Sequence, residues 1–167
     1  MIERATEVDT GWMLIALEAA REAAHAGEVP VGAVIVSFDN QMLCVARNRT
    51  RTDCDPTAHA EIVALRGAAQ TVGNYRLTGA TIYSTLEPCA MCAGALIQAR
   101  VGRLVYGAKD ERAGAVESVF RICNHEALNH RIELVSGVLE SECRQLMQAF
   151  FRARRGTTTS GAVSKDL

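Results

Sequence analysis

The pairing of His59 with Cys89 and Cys92, the first thiol thirty residues downstream, constrains this chain more than any other feature in it. One imidazole and two thiols are a zinc ligand set, and three protein ligands leave one tetrahedral position open for water, the pattern of a catalytic site. Cys89 and Cys92 are three apart and share one face of a helix, and Pro88 just ahead of them suits a first helical turn. The partial positive charge at a helix N-terminus favours the thiolates that zinc requires. In mid-helix, His59 and Glu61 would point to different sides. They are therefore expected at the very start of a helix, after the breaker Asp55-Pro56-Thr57. Two helix N-termini are thus predicted to converge on one metal ion. Glu61 is close enough to share the pocket, and a carboxylate beside a zinc-bound water is a proton carrier.

His59-Ala60-Glu61 followed by Pro88-Cys89-x-x-Cys92 resembles the signature of the zinc-dependent nucleobase deaminases. Further blocks carry the likeness along the chain: Glu28 to Val34, Asn48-Arg49, Asp55 to Glu61, Asn74 to Leu77, Thr85 to Cys89, Met91 to Ala95, Tyr106 to Asp110 and Asn129 to Arg131. Together they resemble the bacterial tRNA-specific adenosine deaminases over roughly residues 10 to 155. The resemblance implies a cytidine-deaminase-like fold and hydrolysis of the wobble adenosine of a tRNA anticodon to inosine, with the base splayed into the pocket. It also implies one Zn²⁺ per subunit, held by His59, Cys89 and Cys92, and a homodimer whose interface borders the active site. Glu61 would move the protons. By the same resemblance Asn48 contacts the base, and Asp110 borders the flipped nucleotide, where a carboxylate can accept a hydrogen bond from a ribose 2′-OH.

A length of 167 residues, 49% of them apolar, fits one domain with a substantial core. The domain is expected over 1–155, with 156–167 a disordered tail that has nothing to bury. Six irregularly spaced cysteines do not form a disulfide framework, which points to a reducing compartment. With no leader-like N-terminus and no apolar run near membrane-spanning length, the expectation is a cytoplasmic protein with no membrane partner. A net charge of −1 gives no overall basic footprint. Arginines cluster locally instead, at 47, 49 and 51, at 100 and 103, and at 152, 154 and 155, each cluster first of all a solvated face.

Periodicity predicts a first helix capped by Asp9 or Thr10 and stopped at Gly27, with His25 a cation at its end. A hairpin follows, Val31 to Phe38 and Met42 to Arg47, then a polar loop from Asn48 to Thr57. The His59 helix runs to Gly73. A strand from Ala80 to Leu86, a helix from Cys89 to about Arg100 and a strand from Val101 to Tyr106 form a right-handed crossover with parallel strands. Residues 110–130 lack clean periodicity and are expected to be loop with a short helix. Ile132 to Gly137 reads as a last strand, and Ser141 opens a helix with Leu146, Met147, Phe150 and Phe151 on its apolar stripe. The sum is one three-layer α/β/α domain around a mixed five-stranded sheet, with the metal beyond its strand ends.

Cys44, Cys54, Cys123 and Cys143 read as ordinary thiols. Phe150 and Phe151 read as core, with the option that Phe151 stacks on a flanking base beside Arg152. Three classes of function fit the residues to different degrees. A tRNA adenosine deaminase is the first, and a deaminase of a free base or nucleoside such as guanine or cytosine the second. A structural zinc module, the third, needs a fourth ligand that the sequence does not offer.

Overall fold

Strand residues alternate between two separate cores, and that alternation sets the layers. The computed structural model describes residues 5–157. Five strands, β1 (Gly32–Val36), β2 (Met42–Arg47), β3 (Thr81–Leu86), β4 (Arg103–Ala108) and β5 (Glu133–Ser136), form one sheet in the order β2-β1-β3-β4-β5. β1 runs antiparallel to both β2 and β3, whereas β3, β4 and β5 are mutually parallel. Ala33, Ile35, Ile82, Leu104, Tyr106 and Leu134 point to one face, where α2 (Ala60–Val72) and α3 (Ala90–Gln98) cover them. Val34, Val36, Tyr83, Val105 and Val135 point to the other, under α1 (Glu7–His25) and α4 (Glu140–Thr157). The mixed, three-layer α/β arrangement is the expected one. No helix among the described residues is long and apolar enough to cross a membrane.

Close approach of α1 to the sheet depends on Gly32. A Cβ there would overlap the carbonyl oxygen of Ala16, so the helix backbone rests directly on β1. At the other end of the strands, Arg103 donates to Asp9 at 2.6 and 3.0 Å and to Glu133 at 2.7 Å, while Tyr83 donates to Asp9 at 3.0 Å. This ties the first turn of α1 to β3, β4 and β5.

Three sequence expectations are corrected. The N-cap of α1 is Thr6 and not Asp9 or Thr10: Asp9 sits at the third helical position, closes a capping box with Thr6 and faces Arg103. Residues 110–130 contain turns and no helix, because the backbone donors of Asp110, Val116, Glu117 and Ser118 bond to the Glu87 carboxylate and those of Arg112 and Ala113 to the Asp110 side chain. Gly156 and Thr157 close α4 instead of opening a tail, and the remaining tail positions, 158–167, lie outside the described residues.

The sheet's chain directions bring one set of termini together. The start of β1, the end of β2 and the C-terminal ends of β3 and β4 share an edge. The N-termini of α2 and α3 open onto that edge.

Candidate active site

His59 is the N-cap of α2 and Cys89 the N-cap of α3. Neither side chain caps its own helix, so both remain available to a ligand. Cys89 thus stands at the cap, Pro88 just before it, and Cys92 one turn in. The Nδ1 of His59 lies 3.6 Å from the Cys89 sulfur and 3.5 Å from that of Cys92. Ordinary Zn–N and Zn–S bonds at a tetrahedral angle put nitrogen and sulfur about 3.6 Å apart. The three donors therefore fit a tetrahedral ion. Among the described residues they are the only such cluster of His, Cys, Asp or Glu ligand atoms, and no fourth protein ligand joins them.

Electrostatics of the cluster point the same way. The Cys92 S–H and the His59 ring hold the Cys89 thiol down to about 3, while the same contact with Cys89, together with burial, pushes Cys92 up. Two thiolates this close do not coexist without a cation between them. Contact with Cys89 raises His59 against the opposing effect of burial.

Glu61 is buried in the first turn of α2, and desolvation raises its carboxyl above the usual range. The Ser84 hydroxyl lies 3.2 Å from its Oε1 and donates to the Leu86 carbonyl at 2.8 Å. The Cys92 sulfur is 3.6 Å from its Oε2. A carboxylate so held, beside three metal donors, can receive and return a proton.

Above these groups opens a cavity of about 880 Å³. Asn48, Asp110 and Phe151 line it together with His59, Glu61 and Cys89, while Arg152 lies outside its wall. Arg144, Arg154 and Arg155 of α4 line it instead, as do Lys109 and Arg112. Asn48 donates its side-chain amide to Glu28 and to Thr50, both at 3.3 Å. Asp110 accepts from the backbone of Arg112 at 3.0 Å and Ala113 at 3.2 Å. Phe151 is 42% exposed, too open for the core position expected of it. Asn129 and His130 bond to Arg100 and to the Val101 carbonyl, and neither lines the cavity.

Three residues that sequence reading passed over support the site: Ser84, Glu28 and Glu87. Glu28 is fully buried and accepts from Asn48, Thr50 and Thr52, which folds the loop after β2. Both glutamates interrupt apolar surroundings, Gly27-Glu28-Val29-Pro30 and Leu86-Glu87-Pro88. An acid in such a run is the signal that could have marked them.

Residues 8–155 match the MafB19-like deaminase family. The tRNA-specific adenosine deaminase of Haemophilus influenzae is 47% identical over 150 residues, 90% of this chain and 87% of that protein. The chain belongs to the tRNA-specific adenosine deaminase family. Another protein so named, from Agrobacterium fabrum, is 46% identical over 87% of this chain and 95% of its own length. A solved structure from studies of A-to-I editing by tRNA:A34 deaminases at the wobble position superposes with a TM-score of 0.79 and 46% identity. It covers 82% of this chain and 99% of that one. Guanine deaminase of Bacillus subtilis is more distant, at 30% identity and a TM-score of 0.58, covering 93% and 96% of the two chains. As a member of this family the chain is a deaminase.

Proposed function

We propose that this protein hydrolyses the exocyclic amine of the wobble adenosine in a tRNA anticodon loop, giving inosine and ammonia. The observation that carries the reading is the buried Glu61 set with His59 and Cys89 at a cavity with arginines on its wall, and Cys92 just behind them. His59, Cys89 and Cys92 would hold one Zn²⁺ per subunit, which when bound would acidify water to a pKa of about 7. Glu61 takes the proton from water, delivers it to the ring nitrogen beside the amine, and carries the next one to the departing nitrogen. Ser84 keeps the carboxylate turned toward the donors. Asn48, its amide group tied to Glu28 and Thr50, meets the base from the wall. Asp110 faces the ribose. Phe151 offers a ring for a flanking base, and Arg152 a charge for the phosphate backbone.

The arginines favour a polynucleotide over a free base, which has no phosphates to pair. The protein acts in the cytoplasm, as a homodimer. The test is to incubate zinc-loaded protein with an anticodon hairpin carrying adenosine at the wobble position and to sequence for inosine. Guanine, cytosine and free adenosine are assayed beside it. Conversion of the hairpin is expected; conversion of a free base with none of the hairpin overturns the reading.

A further inference from the structure

Residues 109–118 run without a helix or strand of their own, and 109–113 of them line the cavity. Four of their backbone donors go to one place. Glu87, just past the end of β3 and 1% exposed, accepts from the backbone N–H of Asp110 at 3.0 Å, Val116 at 3.1 Å, Glu117 at 2.8 Å and Ser118 at 2.9 Å. The Ser118 hydroxyl donates a fifth hydrogen bond. All five come from this one loop. A buried carboxylate is tolerated when several donors replace its water, so Glu87 can be buried only with the loop in place. The loop's amides in turn lack a helix or sheet to pair with.

The same carboxylate shapes the loop at close range. A Cβ on Gly114 would overlap the Glu87 carboxylate, so the chain passes against it as glycine. Ala115 donates to the Pro88 carbonyl at 2.8 Å, Gly114 bridges to Cys89, and Glu87 itself donates to Ala108 at 2.8 Å. The start and the middle of the loop are thereby tied to the segment that carries Cys89. Beyond the latch, Glu117 accepts from the Tyr106 hydroxyl and pairs with Lys109 at 3.3 Å, and Lys109, Asp110 and Arg112 line the cavity.

We infer that Glu87 is a positioning residue whose carboxylate latches the 109–118 loop and so fixes its cavity-lining part, 109–113, setting how RNA is held and not how the amine is removed. The inference rests on the deaminase reading above. Glu61, His59 and Cys92 take no hydrogen bond from the loop, and Cys89 meets it only through the backbone bridge to Gly114, so loosening it acts on substrate binding before chemistry.

The test compares zinc-loaded wild type with Glu87→Gln, which keeps the size but offers an NH₂ group where donors converge. KM for the anticodon hairpin is expected to rise by about ten-fold with kcat held within roughly three-fold, the pattern of lost uniform binding. Zinc stoichiometry stays unchanged, and amide hydrogen exchange at 110 and 116–118 accelerates. Gly114→Ala pushes the loop off the same carboxylate from the other side and is expected to reproduce the pattern. The double variant is expected to be no worse than the weaker single one, since both break one contact. Ser118→Ala, which removes one donor and leaves the carboxylate, carries the same readouts at smaller amplitude should Glu87→Gln fail to fold. Wild-type exchange in the variants, a fall in kcat as large as the rise in KM, or loss of zinc would overturn the assignment. Exchange and zinc are read without RNA, so a wild type that leaves hairpins unconverted defeats the functional reading while exchange still decides the latch.

Discussion

Glu61 and Asp110 are both carboxylates at the cavity, and their surroundings give them different work. Burial raises Glu61 against the opposing effects of a backbone hydrogen bond, His59 and Ser84, so its charge is incompletely stabilised and its proton is readily exchanged. Glu61→Ala is expected to keep zinc and RNA affinity while turnover falls by about 10²- to 10⁴-fold. Elemental analysis with single-turnover rates checks this, and zinc loss would make Glu61 a ligand. Asp110 spends one oxygen on the turn it opens. An asparagine keeps that acceptor but removes the charge, whose desolvation without a 2′-OH partner would penalise DNA. Asp110→Asn is therefore expected to lower RNA activity and to narrow the RNA-to-DNA gap by roughly ten-fold. kcat/KM on matched hairpins measures it, and an unchanged ratio leaves Asp110 a turn residue alone. His59, Glu61, Cys89 and Cys92 were legible in the sequence because their spacing is itself the geometry of two helix starts. Glu28 and Glu87 were not, because their partners are backbone and side-chain donors of loops twenty or more residues away.

Among the elements, α1 shows how one side chain is claimed by two levels of structure. Asp9 accepts from the Thr6 backbone as part of a capping box, a local role, and pairs with Arg103, which no local pattern reveals. Burial works to raise its carboxyl, but hydrogen bonds from Arg103, Thr6 and Tyr83 outweigh it and hold the group at about 2. Since the ordinary value is 3.8, the stabilisation is complete above that pH and is lost as pH falls toward 2. Its size is about 2 kcal/mol. Urea unfolding of wild type against Asp9→Asn is expected to show that difference at pH 6 and to lose it near pH 2; a difference independent of pH would remove the ion pair from the account. Elements with strong periodicity, such as β1 and α2, matched expectation closely. The segment 110–130 did not, because a buried carboxylate organises its first half and the repeat of a helix is absent there.

At the scale of the whole molecule the metal donors join two separate stretches of chain, the start of α2 and the start of α3. An ion that binds only the folded protein stabilises it by about 2.7 kcal/mol at a hundredfold excess over its Kd, or roughly 5–10 °C in a chain of this size. Chelated protein is expected to melt lower by that interval and to recover on adding zinc. Cys92→Ser should melt like the chelated form and ignore added zinc; recovery by this variant would remove Cys92 from the ligand set. The clustering of His59, Cys89 and Cys92, the number of strands and the order of helix and strand outside 110–130 were determined by the sequence alone, because donor spacing and apolar period are local properties of a chain. Only tertiary structure decided which acids became anchors, that Arg103 is a structural cation and not part of a basic surface, and that Arg144, Arg154 and Arg155 line the cavity while Arg152 does not. Those outcomes depend on which backbone donors and charges meet across the sheet, and burial without a partner is what makes each meeting obligatory.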